Sequence, residues 1–251
     1  MSSKSTILAA ALSLGTAFGA ATGAVAGTIT GGTLLDGAGA NQLEAWLGVG
    51  DQDFTNIFAG NAGVATATAF HSAVDGVGPT FSIYDVTLDS GNGPSVKIGG
   101  YTALDWGGVT GYQSDATAFI FNLTTGEAQF TQHYSGIYSI NRAPNYFATF
   151  GGGHDIFAGY GVLGTCNGGL SAICDGYTQS HSYDQAQGQI SIAGDSGSGS
   201  GDSGFDLRHI VVNSLEVYTF EPAVAPVPLP AGGLLLLTAL GGLAVARRRR
   251  G

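Results

Sequence analysis

Phe81-Ser82-Ile83-Tyr84-Asp85-Val86, then Asp89-Ser90-Gly91-Asn92-Gly93, then Ser95-Val96-Lys97-Ile98-Gly99-Gly100-Tyr101, is the stretch that decides the fold class. Phe81, Ile83 and Asp85 alternate with Ser82, Tyr84 and Val86, the period of a pleated strand whose side chains project to opposite faces. The Asp/Ser/Gly/Asn cluster supplies turn formers, so the segment predicts an antiparallel hairpin. Further short strands are predicted at Ala118 to Leu123, Ala128 to Tyr134, Tyr146 to Phe150, Asp155 to Tyr160 and Leu215 to Phe220, with Thr124-Thr125-Gly126-Glu127 as a turn. The 43 glycines fit many short strands separated by turns. No strand-helix-strand alternation is present, so the expectation is a mainly β protein, a two-sheet antiparallel β-sandwich with a few short helices. One helix is expected from an Asn41 N-cap with Glu44 three residues on, an apolar stripe of Leu43, Trp46 and Leu47, and Gly48 as its stop. A second helical turn is expected at Thr66 to Phe70.

The two ends read differently from the body. Lys4 precedes an apolar stretch from Ile7 to Ala21, and Ala24-Val25-Ala26 offers small residues for cleavage between Ala26 and Gly27, the layout of a secretory signal over residues 1–26. At the other end Val227-Pro228-Leu229-Pro230-Ala231 leads into an uncharged apolar run and then Arg247, Arg248, Arg249 and Arg250. The sixteen residues 231–246 make a helix of about 24 Å, somewhat short of a hydrocarbon core of ~30 Å. The arginines form a basic stop held on the cytoplasmic side, and Gly232, Gly233, Gly241 and Gly242 weaken the helix as a permanent anchor. This tail resembles the VPLPA-CTERM type of the PEP-CTERM sorting signals. The resemblance implies an exosortase-type sorting enzyme and the secretion translocon as partners, in a Gram-negative bacterium, with the product anchored to the inner membrane in transit and then placed in the envelope or outside the cell. A plain C-terminal anchor, and a rhombosortase-type tail read at Gly232-Gly233, are the alternatives.

Residues 27–222 form the domain between the signal and the sorting tail, 223–251. All eighteen acidic residues lie there against only Lys97, Arg142 and Arg208, a net charge of about −15. Such a field repels nucleic acid phosphates and excludes nucleic acid as a partner. The 44% apolar content is enough to build a core, so the acidity does not imply disorder.

Within the body, Ala69-Phe70-His71, Asp75-Gly76-Val77-Gly78-Pro79-Thr80, Gly99-Gly100-Tyr101-Thr102 with Trp106, Ala118-Phe119-Ile120-Phe121, Phe150-Gly151-Gly152-Gly153-His154-Asp155 and Leu215-Glu216-Val217-Tyr218 resemble, in order, the landmarks of the TLDc domain. The resemblance runs from Leu35 to Phe220. It implies a two-sheet β-sandwich, a link to oxidation resistance and no shared catalytic residues. The family's vacuolar proton ATPase partner does not fit an exported chain.

Several constellations bear on chemistry. His154 beside Asp155, after three glycines that let the backbone approach closely, could do acid-base work or bind a metal, or else His154 bonds within the sandwich. His71 near Asp75 offers the same choice. No HExxH spacing supports zinc. Asp195, Asp202 and Asp206 in a glycine-serine stretch are calcium candidates, too irregular for an EF-hand, and a solvated loop is the competing reading. Cys166 and Cys174 could close a disulfide loop of nine residues in an oxidising compartment, or remain free thiols. Ser203 has no GxSxG elbow. No cofactor is expected. The expectation is a non-catalytic interaction or structural module that meets extracellular polysaccharide or envelope proteins. The alternative is an extracellular hydrolase or oxidative-stress-related enzyme using His154 and Asp155.

Overall fold

A computed structural model describes residues 27–131, 138–165, 176–183, 190–194 and 207–224. The hairpin at the centre forms as the alternation predicts. β3 (Thr80–Thr87) pairs antiparallel with β4 (Ser95–Thr102) in unbroken register from Thr80 opposite Thr102 to Thr87 opposite Ser95. Its connection is one helical turn, α3 (Leu88–Gly91), closed by Gly91 at φ +89°.

Around the hairpin a long sheet runs β1 (Ile29–Thr30), β2 (Gln52–Asn61), β12 (Leu207–Pro222), β3, β4, β6 (Phe119–Asn122) and β7 (Glu127–Phe130). All pairs are antiparallel except β1 with β2. A second sheet of short strands follows: β5 (Tyr112–Gln113), β8 (Ile140–Asn141), β9 (Thr149–Phe150), β10 (Ile156–Phe157) and β11 (Tyr177–Gln179). The 16-residue β12 belongs to both. Its Leu207–His209 end pairs with β11, and its later residues lie between β2 and β3. Register shifts at Val212/Ser214 and Val217/Tyr218 mark bulges, which bend a strand as it passes from one sheet to the other.

The long sheet is covered on both faces, and this explains why β3 is buried at nearly every position rather than on alternate ones. One face, with Tyr84, Val86, Ile98, Ile120, Leu215 and Val217, packs against Trp106, Phe147, Phe150, Ile156 and the helix α2 (Ala67–Val74). The other face, with Phe81, Ile83, Tyr101, Phe119, Phe121 and Tyr218, packs under α1 (Gly37–Leu47), which contributes Ala40 and Leu43. Gly100 lies against the second sheet: a Cβ there would fall 2.5 Å from the Phe150 ring. The architecture is mainly β, antiparallel and sandwich-like.

Three local expectations change. The first helix starts at Gly37 with Asp36 as N-cap, its carboxylate accepting from the Gly39 amide, while Asn41 lies inside the helix. Glu44 does not reach back to a cap. Its Oε1 accepts from the Gln52 amide at 2.7 Å and ties the helix to β2. Gly48 does close the helix, in the left-handed region at φ +73°. The second helix extends to Val74, capped by Thr66. The strands expected at Tyr146 to Phe150 and Asp155 to Tyr160 shorten to β9 and β10, with Tyr146 and Tyr160 joined by an isolated bridge beyond them. Among the described residues no helix is long and apolar enough to cross a membrane, and the expected segments at 1–26 and 231–246 lie outside them.

Candidate functional site

The three glycines before His154 form the turn between β9 and β10. Gly151 (φ +83°), Gly153 (φ +77°) and His154 (φ +71°) all take left-handed backbone, a conformation glycine accepts freely and histidine only at some cost. Gly151 has a second constraint, since a Cβ there would sit 1.7 Å from Asp155 Oδ2. The Gly151 amide donates to the Ser139 carbonyl at 2.9 Å and the Gly152 amide to Ser182 Oγ at 2.8 Å.

Asp155 and His154 are neighbours in sequence with separate surroundings. Asp155 is fully buried, and its carboxylate accepts from the amides of His181 (2.7 Å), Ser182 (2.9 and 3.0 Å) and Tyr183 (3.4 Å). It fastens residues 181–183 beneath the turn. Burial pushes its pKa up to about 7, against these amides, which favour the charged form. The His154 ring lies among Phe157 (5.4 Å, stacked), Tyr146 (5.4 Å) and Tyr112 (6.0 Å). Burial takes its pKa down to about 4, with the Gly151 backbone opposing, so the ring is neutral near pH 7. Among the described residues no hydrogen bond joins the two side chains.

What His154 does organise is a ring of aromatics on the second sheet. Tyr112 meets Tyr138 edge-on at 5.2 Å, Tyr146 meets Tyr160 at 5.7 Å, and Phe157 meets Tyr177 at 5.3 Å. Tyr112, Tyr138 and Tyr160 are 42%, 37% and 43% exposed, so the group has a solvent-facing surface. The Tyr177 hydroxyl donates to the Gly153 carbonyl at 3.0 Å, which ties the aromatics to the glycine turn. Burial raises the Tyr146 pKa, and the hydroxyls of Tyr112 and Tyr160 add to it.

A separate cavity of about 520 Å³ opens between α2 and the loops around Trp106 and Arg142. His71 and Asp75 both line it, joined by a hydrogen bond of 2.9 Å between Nδ1 and Oδ1, while His71 Nε2 is 3.3 Å from the Ala143 carbonyl. Arg142 enters from the other side with a buried Nε that has no hydrogen-bond partner among the described residues.

Two buried carboxylates were not singled out as site candidates by their sequence. Glu216 accepts from the Thr33 and Leu34 amides at 2.8 to 2.9 Å and from the Tyr218 hydroxyl. Burial pushes its pKa up, but the Tyr218 hydroxyl and the Leu34 and Thr33 groups outweigh it and hold the carboxyl below its usual range. Asp115 likewise gathers Thr102 Oγ1, the Ala103 amide and both donors of Thr117. Asp115 lies in no motif, and the Leu215-Glu216-Val217-Tyr218 motif that holds Glu216 gives no sign of its contacts. The signal for Arg142 was its rarity, one of three basic residues in the body. Gly27 opens the described chain against Gln52. Ala26, Cys166, Cys174, Asp195, Asp202, Asp206, Val227 to Ala231 and Arg247 to Arg250 lie outside the described residues. Among the described residues no group of three or more His, Cys, Asp or Glu side chains is placed to hold a metal ion. A scan against known protein families finds no family model that matches the chain. A search among curated proteins likewise returns no match.

Proposed function

We propose that this chain is an exported, non-catalytic interaction module, a TLDc-like sandwich delivered through its VPLPA-type tail by an exosortase-type system to the envelope or extracellular matrix. The observation that carries the reading is the surface of Tyr112, Tyr138, Tyr146 and Tyr160 gathered round a neutral His154. Flat aromatic faces with hydroxyl rims suit the apolar CH faces and hydroxyls of a neutral sugar chain, and a domain of about −15 net charge disfavours polyanions. A neutral extracellular polysaccharide is therefore the partner. The six ordered motifs support the TLDc relationship, and the signal-like start and arginine-ended tail support export. An enzyme using His154 and Asp155 gains nothing from their placement, because Asp155 is sealed beneath the turn and spends its oxygens on backbone amides.

Two measurements test this. Incubated with an insoluble neutral β-glucan, the full chain is expected to adsorb, and Tyr112→Ala/Tyr138→Ala/Tyr160→Ala to bind roughly tenfold more weakly, at about 0.5 kcal/mol or more per lost ring. Equal adsorption by the triple variant, or none by the wild type, removes the polysaccharide reading. For delivery, the mature protein from wild-type cells is expected to lack the arginine tail, and Pro228→Ala/Pro230→Ala to retain it by mass. Identical mature masses would sink the sorting reading.

A further inference from the structure

The cavity beside Arg142 shares none of its lining with the tyrosine surface, and it has a distinct chemical character. In the body's strongly acidic background, Lys97 lies 3.9 Å from Asp36 and Arg208 lies 3.1 Å from Asp89, so both are matched to carboxylates. Arg142 has no ion pair among the described residues, and its Nε is buried without an acceptor. A guanidinium presents donors in a planar fork and has no acceptor of its own, and Arg142 lines the cavity with no carboxylate paired to it among the described residues. A carboxylate fits that fork in two parallel bonds.

The remaining lining says what else the ligand carries. Thr68, Ser72 and Thr110 bring hydroxyls, and Gly107 and Gly108 leave the backbone bare. Ser72 Oγ donates to the Thr68 carbonyl at 2.8 Å, which leaves its lone pairs to accept. Asp75 gives Oδ1 to His71 and has Oδ2 left to accept from a ligand hydroxyl. The same carboxylate would repel a second negative charge nearby. A cavity with one unmet cation, one acceptor carboxylate and several hydroxyls matches a molecule with a single carboxylate and several hydroxyls. Its volume, about 520 Å³, is within the range of small-ligand sites.

We propose that this cavity binds a uronic acid, the carboxylate on Arg142 and the ring hydroxyls on Asp75, Ser72 and Thr110. The uronate can be a free monosaccharide or a unit within a glycan, since the recognised chemistry is the same. The site does not depend on the tyrosine surface, so neither proposal stands or falls with the other.

Titration calorimetry on the full chain with sodium glucuronate, glucose and acetate tests the assignment. Glucuronate is expected to bind, with glucose and acetate each about tenfold weaker or more, the loss expected when a charge-assisted pair or a set of hydroxyl bonds is missing. Arg142→Gln is expected to abolish the preference for glucuronate over glucose with its melting temperature unchanged, and Thr110→Ala, at an accessible position, to weaken glucuronate several-fold. A mixed-sugar oligosaccharide carrying one internal uronate separates the two sources: binding as tight as the monosaccharide identifies a glycan unit, and failure to bind identifies the free acid. Glucose binding equal to glucuronate, acetate binding equal to glucuronate, no glucuronate binding, or a preference retained in Arg142→Gln overturns the proposal.

Discussion

Replacing Glu216 with alanine is expected to destabilise the protein by about 3–5 kcal/mol, read as a lower urea midpoint with an unchanged slope. Glu216 projects from β12 on the α1 side of the long sheet, where Leu215 and Val217 face the other way into the main core. At that position its two oxygens gather the Thr33 amide and hydroxyl, the Leu34 amide and the Tyr218 hydroxyl. These hold the 31–35 loop against the sheet. Gly31 and Gly32 both take positive φ there, and a Cβ on Gly32 would sit 2.1 Å from the Tyr218 hydroxyl. Without the carboxylate, several donors lose their acceptor, at about 1–3 kcal/mol for each group left buried and unpaired. Glu216→Gln keeps one acceptor oxygen and the volume, so it should lose roughly half as much. A Glu216→Ala midpoint close to wild type would mean that water satisfies the loop.

The hairpin was legible because β3 and its turn obey local rules: alternation to Val86, then a cluster of turn formers before Ser95. The first helix was legible in existence and stop but not in start. Asn41 with Glu44 has the spacing of a capping box, yet Asp36 caps the helix, and Glu44 accepts instead from the Gln52 amide of the next strand. Nothing near residue 44 announces that contact. β12 was visible only from Leu215 to Phe220, since its earlier part, with Arg208, His209 and Asn213, changes partners between sheets and follows no single alternation.

The site was less legible for a similar reason. His154-Asp155 is a conspicuous dipeptide, but backbone geometry sends one side chain among aromatics and the other beneath the turn. The tyrosines around His154 come from positions 112 to 177 and share no spacing. Arg142 and His71 meet at one cavity only because β8 and α2 are brought together across the main core.

The split between His154 and Asp155 has a thermodynamic signature. Asp155 has a folded pKa raised to about 7, so its contribution to stability is full below its unfolded value near 3.8 and is lost as pH rises towards 7. His154 has a folded pKa lowered to about 4, so its contribution is full above 6.5 and is lost as pH falls towards 4. Each slope is about 1.4 kcal/mol per pH unit, with opposite signs over nearly the same interval. The wild type should therefore be almost flat in stability between pH 4.5 and 6.5 as far as these two groups are concerned. His154→Asn removes one side of the balance, and asparagine tolerates the left-handed backbone there. Relative to wild type, the variant should lose about 3 kcal/mol of stability between pH 4.5 and 6.5, as the unopposed ionisation of Asp155 would require. Asp115 and Glu216, with pKa values lowered by their donors, lose their contributions only at more acidic pH and do so alike in both proteins. Urea midpoints at pH 4.5, 5.5 and 6.5 give the slopes directly. Parallel profiles for the two proteins would show that the His154 ring titrates as if in water and that the aromatic surface does not keep it neutral.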